Sequence, residues 1–364
     1  MGNKVIIDDS YGKIEIQLQK FTFIAGEQIN GWVQVSLVKP FPNDTLYLTI
    51  SGTEKTQFVF EQRVNTGRGV IVTHDKHKGK NTFYEHLIPL YKHESGSFPA
   101  GQYSFPFSFK LDEDLIGSFA LDYFNFGYAC FGKVVYKIKA GFKDQASKKT
   151  FFKKTKFYVN ALQKSPPSEQ ISDYDKQLRG YCYINIGTYR IHVHLDKDKF
   201  VSGDTCSMTI EVDNTDAKRN AKNLKCQLYQ VTTLKNTKCS KTDYVNHLLS
   251  DETLAGIPKG ESRKGPDAFK VQLPIKTNNE LQASCHGKLV TNQFVLVFTT
   301  ELDACLCYRN HPHKEIEIMI YNKMVILEPR NPHDNWNPQV ISHKVLPLGA
   351  DTKLTPEMKS QIYE

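Results

Sequence analysis

Pro99-Ala100-Gly101-Gln102-Tyr103-Ser104-Phe105-Pro106-Phe107-Ser108-Phe109-Lys110-Leu111 decides how the rest of the chain is read. Tyr103, Phe105, Phe107 and Phe109 occupy every second position. A helix would scatter these rings around its circumference. A strand gathers them on one face, and that face must pack on a second sheet. Pro106 has no N–H to give to a ladder, so this strand is expected at a sheet edge or bulged there.

The same period of two runs outward in both directions. Ile14, Ile16 and Leu18 alternate with Glu15 and Gln17, and Gly31, Val33, Val35 and Leu37 alternate with Trp32, Gln34 and Ser36. Leu46, Leu48 and Ile50 follow, then Val134, Tyr136, Ile138 and Ala140. The second half repeats the pattern in Tyr189 to Leu195, Cys206 to Val212, Leu224 to Leu228, Phe294 to Phe298 and Ile316 to Ile320. Gly, Pro, Asn and Asp clusters separate these runs, as between the strands of β-sandwiches. The 22 Phe and 18 Tyr agree, since aromatics suit a pleated, half-buried surface. One short helix is expected, around Tyr244 to Leu254.

At about 150 residues per domain, 364 residues give two domains. The break falls at Gln163-Lys164-Ser165-Pro166-Pro167-Ser168-Glu169-Gln170, where adjacent prolines and polar neighbours favour extended, solvated chain. The expected division is 1–162, a linker over 163–176, a second domain over 177–330 and a tail over 331–364. The halves echo each other. Phe23-Ile24-Ala25-Gly26-Glu27 and Phe200-Val201-Ser202-Gly203-Asp204 each precede an alternating strand. Glycine suits the positive-φ corner and the acid accepts from turn amides, so two such corners argue for a duplicated sandwich.

Composition excludes several classes. Against 47 Lys+Arg stand 39 Asp+Glu, a net +8 spread over the chain and not gathered into a nucleic-acid arm. No run approaches the ~18 apolar residues of a spanning helix. Asp8-Asp9 comes too early for an export signal, and Ile6 stands where a myristoylation pattern wants Ser or Thr. The eight cysteines are therefore expected as reduced thiols in an intracellular protein.

With these residues assembled, the chain resembles the arrestin family, and most of all its α-arrestin branch. The resemblance rests on Phe23-x-x-Gly26-Glu27-x-Ile29-x-Gly31-x-Val33-x-Val35, the Pro99 to Leu111 block, Gly117-Ser118-Phe119 and the strand Val134 to Ala140. More loosely, it rests on Phe200-x-x-Gly203-Asp204, the Asn214 turn and Val271-Gln272-Leu273-Pro274-Ile275. It implies an all-β chain of two tandem immunoglobulin-like sandwiches. It also implies a cytoplasmic, non-enzymatic adaptor without a cofactor, recruited to the plasma membrane or endosomes. The implied partners are cytoplasmic tails of membrane proteins, sorting or ubiquitin-ligase machinery and an anionic membrane surface, with no nucleic acid. The motif residues themselves are read as fold signature. The chain also departs from the family. The lysine pair that senses phosphate in receptor-binding arrestins falls on Ile7 and Asp8, and the polar-core arginine and aspartate fall on Phe21 and Thr22. No Pro-Pro-x-Tyr motif is present. A retrieval-coat subunit of the same fold, like that of retromer, is the alternative. A carbohydrate-binding or carbohydrate-active sandwich is the alternative of another class, set back by the presence of only 2 Trp.

Ser147 to Tyr158 is the densest basic run, and it carries Lys148, Lys149, Lys153, Lys154 and Lys156. These lysines can grip acidic or phosphorylated cargo or an anionic lipid surface. They can equally guard an exposed strand edge against aggregation. His74, Lys76, His77, Lys78 and Lys80 are expected in a flexible loop. Cys305, Cys307, His311 and His313 offer thiols and imidazoles for zinc, but at a spacing unlike the common fingers, so buried cysteines on a hairpin are the plainer reading. His192 and His194 are expected to face solvent. Serine-hydrolase, phosphate-loop and zinc-protease motifs are all missing. Within the tail, Val340 to Leu346 is expected to dock on a sandwich edge.

Overall fold

The computed structural model describes residues 6–7, 9–67, 69–143, 149–179, 184–238, 240–276, 282–303, 311–323 and 339–340. The first half contributes β1 (Ile6–Ile7), β2 (Gly12–Leu18), β3 (Thr22–Ile24), β4 (Gln28–Leu37), β5 (Thr45–Asn65), β6 (Val70–Lys92), β7 (Gly101–Lys110), β8 (Phe119–Asn125), β9 (Tyr128–Lys143) and β10 (Lys149–Asn160). The second contributes β11 (Gln170–Arg179), β12 (Asn185–Leu195), β13 (Lys199–Val201), β14 (Thr205–Asp213), β15 (Ala221–Lys235), β16 (Thr242–Ile257), β17 (Ser262–Arg263), β18 (Phe269–Pro274), β19 (Cys285–His286), β20 (Val290–Leu302) and β21 (His313–Tyr321). A last short strand is β22 (Gln339–Val340). No helix among the described residues is long and apolar enough to cross a membrane.

Four sheets form two sandwiches. In the first, β1-β10-β9-β5-β6, with β3 and β8 alongside, packs on β2-β4-β7-β22. In the second, β11-β12-β14 with β17 and β18 packs on β13-β21-β20-β15-β16 with β19. The alternation sends Phe105, Phe107, Phe109, Val33, Val35, Tyr136 and Ile138 into one core, and Ile191, Val193, Ile210, Leu228, Phe294 and Leu296 into the other.

Pro106 pairs with Trp32 of β4, while on its other flank β7 meets β22 only at Tyr103 and Ser104. The proline therefore lies at a sheet edge, where its missing N–H costs no ladder bond. Val340 begins the expected docking stretch and does sit on this edge; the rest of that stretch lies outside the described residues.

The duplicated corner is reproduced bond for bond. Gly26 (φ 86°) and Gly203 (φ 100°) both turn in the left-handed region. Glu27 N donates to Ile24 O at 3.0 Å, and Asp204 N to Val201 O at 3.0 Å. Each acid accepts from the backbone N–H three residues earlier, at 2.9 Å for Ile24 and 3.2 Å for Val201. Each also pairs with a lysine seven positions back, Lys20 and Lys197. The strands before these corners, β3 and β13, run parallel to β10 and β21 at equivalent places in the two sandwiches.

Three local expectations change. The segment Tyr244 to Leu254 is strand, not helix, and pairs with β15 along its length. Ser250 faces Leu228 and Leu248 faces Tyr229, so Leu249 is an extra bulge residue. That insertion breaks the period of two and mimics a helical spacing. The basic stretch His74 to Lys80 is not a loop but part of β6, with His77 turned inward against Phe58 and Phe60. The stretch without regular structure after Asn160 ends at Glu169, because β11 takes residues from Gln170 onward. It is pinned: Ser168 N donates to Asp198 Oδ1 at 2.9 Å and Lys199 Nζ to Ser165 Oγ at 2.9 Å.

The sandwiches share a joint. Leu234, Cys285, Leu289 and Val290 of the second half belong to the core of the first. Within it Glu54 is buried. Its Oε1 accepts from Leu289 N at 2.9 Å and Val290 N at 3.1 Å, and its Oε2 accepts from Asn81 Nδ2 at 2.7 Å. The gripped loop is held from its own side by Asn292, whose Nδ2 donates to Gln282 O at 3.1 Å and Ala283 O at 2.9 Å. Gln230 and Thr232 donate to its Oδ1 at 3.0 and 2.7 Å, so this buried amide uses both ends.

Candidate functional site

The outward face of the β10-β9-β5-β6 sheet gathers lysines from four strands. Lys156 lies directly opposite Lys137, and Lys154 opposite Lys139. Lys133 lies opposite Lys55, and Lys55 in turn opposite Lys80. Alternation puts all seven on one side, because the intervening Tyr136, Ile138 and Ala140 point into the core. Like charges directly across a ladder cost stability, and here they recur in every strand pair of the face.

Two carboxylates accompany them. Asp122 meets Lys133 at 2.8 Å, and Glu85 faces Ser51 in the row of Lys137. Phe152 provides further support, with the ammonium groups of Lys139 and Lys154 over its ring at 4.3 and 4.7 Å. Gly141, opposite Phe152, leaves room for this packing: a Cβ there would come within 2.2 Å of Phe151 O. The electrostatic result is a weakened hold on protons. Partial burial, then repulsion from Lys55, Lys154, Lys156 and Lys80, pulls the Lys137 amine below the ordinary lysine value. Burial followed by Lys154 and Lys143 does the same to Lys139, with Glu85 opposing.

Among the described residues, the strands beside β10 cover only the two ends of its outer edge. β1 pairs with Lys149 and Thr150, and β3 with Tyr158 to Asn160. Among the described residues no strand pairs with Phe151 to Phe157 on that side. Cations flank this stretch, with Lys154 and Lys156 on the common face.

The structure thus brings Lys154 and Lys156 onto the common face. Lys153 is exposed but opposite Ala140, so it belongs to the other side of the strand. Lys149 starts β10 opposite Ile6, and Lys148 lies outside the described residues. Sequence reading missed Lys55, Lys80, Lys133, Lys137 and Lys139 as members of this site. Their period-two placement in strands was visible, but nothing local aligned one strand with the next.

The remaining candidates fall elsewhere. Cys305 and Cys307 lie outside the described residues. His313 bonds Glu315 at 3.0 Å and Thr299 at 3.2 Å, while His311 Nδ1 accepts from Leu302 N at 3.4 Å. Among the described residues no group of three or more His, Cys, Asp or Glu side chains could hold a metal ion. His192 pairs with Asp173, and His194 with Glu169 at 3.2 Å, on the outer face of β12.

Two duplicated sandwiches are thus joined through a shared core, and the first bears the lysine face. The description "Arrestin (or S-antigen), N-terminal domain" matches residues 12–163, and "Arrestin (or S-antigen), C-terminal domain" matches residues 186–324. The chain belongs to the arrestin family. It is 27% identical over 223 residues to arrestin domain-containing protein A of Dictyostelium discoideum. The alignment covers 60% of this chain and 37% of that relative, so the match spans little more than a third of the relative's length. For this arrestin-family chain, each matched region falls within one sandwich, β11 of the second preceding its match, and the lysine face lies wholly within the N-terminal region.

Proposed function

We propose that this arrestin-family chain is a non-enzymatic adaptor that captures acidic or phosphorylated cytoplasmic tails of membrane proteins and hands them to sorting machinery at the plasma membrane or endosomes. The observation that carries the reading is the set of lysines opposed to lysines, next to a strand edge on which no described strand pairs with Phe151 to Phe157. An extended peptide adds its backbone to the gap at Phe151 to Phe157, and its carboxylates or phosphates reach Lys154, Lys156, Lys139 and Lys137. Main-chain bonds then supply affinity, while charge supplies selectivity and rapid encounter. Repulsion already present on the face is relieved by the anion, so the stability lost to like charges returns on binding.

Fluorescence anisotropy with a labelled acidic peptide, synthesised with and without phosphoserines, tests this. The phosphorylated form should bind more tightly, with an affinity that falls as salt rises. Lys137→Glu combined with Lys154→Glu should weaken it by about tenfold or more, two charge reversals at partly exposed sites each being worth on the order of 1 kcal/mol. Equal affinity for both peptides, or an unaffected double variant, would refute the assignment.

A further inference from the structure

Seven of the fourteen large apolar side chains exposed among the described residues crowd the tips of two neighbouring hairpins, too many for scatter. Val64, Val70, Ile71 and Val72 sit at the end of the β5–β6 hairpin. Phe124, Phe126 and Tyr128 form the tip of β8–β9, with Phe124 80% exposed. The tips touch: His74 of β6 packs on Phe126 at 5.3 Å and on Tyr128 at 5.5 Å between ring centres. Asn125 Nδ2 donates to Val59 O at 3.3 Å and Gln57 Nε2 to Ala129 O at 2.7 Å, tying one hairpin to the other.

Pairing between β5 and β9 ends at Gln57 opposite Phe131, yet β5 continues eight residues further, to Asn65. At the ~3.3 Å rise of a strand this projects ~26 Å beyond the last β9 pair. Opposed residues share a face, so Val64 and Ile71 lie on one side of the hairpin, and Val72 and Val70 on the other. An amphipathic strand entering a protein groove would show one apolar face. This tip carries apolar side chains on both faces, with Arg63 and Asn65 beside Val72 and Val70 on the second, which fits an interface where apolar and polar groups meet. The turn also carries its own hydrogen bonds. Thr66 N donates to Gly69 O at 3.0 Å, Thr66 Oγ1 to the same oxygen at 3.0 Å, and Gly67 N to Asn65 Oδ1 at 3.0 Å. Glu61 and Arg63 pair with each other. Polar groups satisfied in this way lose little on leaving water.

Behind the tip on the outer face, Lys76, Lys78 and Lys80 follow one another along β6, all exposed, and continue into the lysine face. Apolar and aromatic side chains at the end, with lysines one step back, match the layering of an anionic bilayer interface. There the apolar parts rest ~5–10 Å deep and the ammonium groups meet headgroups. We propose that the β5–β6 and β8–β9 tips form a shallow membrane-inserting prow that seats the first sandwich on an anionic leaflet. The seat is independent of what the cargo site recognises.

Sedimentation with vesicles of phosphatidylcholine alone, or mixed with phosphatidylserine, provides the test. The full chain should partition onto the mixed vesicles. Val64→Ser with Ile71→Ser should lower that partition about tenfold. Lys76→Glu with Lys78→Glu should abolish the preference for phosphatidylserine. All these positions are exposed, so the melting temperature should stay within a few degrees of the parent's; this serves as the folding control. Ile71→Trp, in a chain whose Trp32 and Trp336 are replaced by Phe, keeps the tip apolar. Its fluorescence should be quenched by brominated lipid and shielded from a water-soluble quencher. Undiminished partition of the serine variant, emission from the introduced indole that ignores brominated lipid, or binding that needs a purified membrane protein in the vesicle would each overturn the proposal. Phosphopeptide affinity in the serine variant should remain at the parent's value. Undiminished partition with that affinity unchanged would overturn the prow alone and leave the lysine-face reading standing, whereas loss of peptide affinity would place the peptide at the tips and count against the lysine face.

Discussion

Gly203 turns at φ 100° with open space around it, whereas Gly26 turns at φ 86° with the Cγ of Glu113 2.8 Å from where a Cβ would sit. The two corners are otherwise alike, so they separate backbone strain from crowding. Gly203→Ala should cost ~1–2 kcal/mol, the strain of a left-handed L-residue. Gly26→Ala should cost more, by whatever moving Glu113 requires. Urea titration of both variants checks this, and equal losses would show that crowding at Gly26 is relieved freely. The Asp213 carboxyl is held well below the usual aspartate range by the Lys264 ammonium at 2.7 Å, then by Thr215 donating to its other oxygen. Its folded value is depressed, so the unfolded chain takes up the proton first. The stabilisation is therefore complete above the ordinary aspartate pKa, about 3.9. It drains away as pH falls below that value. Asp213→Asn should be less stable than the parent at neutral pH and converge with it under strong acid; a constant difference across pH would rule this out. The corner glycines and their acids were readable from sequence because both ends of each bond lie within three residues. The Asp213–Lys264 pair was not, since its partners lie 51 residues apart with β15, β16 and β17 between them.

β10 carries its charge at a measurable cost. Lys137→Gln with Lys139→Gln removes two of the ladder's like-charge oppositions, and should raise stability by a few tenths to about 1 kcal/mol at low salt. That gain should shrink as salt screens the face. It should also shrink with alkali. Both amines have folded values below the ordinary lysine value of about 10.4. The unfolded chain holds those protons more firmly, so the parent's stability rises as pH climbs through the depressed folded values toward 10.4. Chemical denaturation from pH 7 upward should show parent and variant converging; a gap that widens would contradict the sign. Each strand was legible by itself, including the run from Lys153 to Lys156. The face was not legible, because it exists only once register sets Lys156 against Lys137 and Lys55 against Lys80. Where register is broken locally, as at Leu249 in β16, even the element type was misread, and the bulge passed for helical spacing.

At the scale of the molecule, one carboxylate from the first sandwich holds a loop of the second. Glu54→Leu would leave Leu289 N and Val290 N buried without an acceptor, at a cost of at least ~2 kcal/mol. Gly287→Ala attacks the same contact from the other side, since its Cβ would lie 2.0 Å from Glu54 Oε1. Both variants should speed amide exchange at Leu289 and Val290 while leaving Ile191 and Ile210, deep in the second core, protected. Unchanged exchange at the joint would show that the bonds to Glu54 do not hold it. The duplication invites the idea that either half could be excised at Pro166-Pro167 and studied alone, or exchanged for a relative's. The joint argues otherwise. Removing the second half strips the first of Leu234, Cys285, Leu289 and Val290 and leaves Glu54 Oε1 without the two backbone N–H groups it holds. A chimera built by cutting at the prolines would thus inherit a torn seam unless the donor half also brings a loop shaped for Glu54; the natural unit of exchange is the pair.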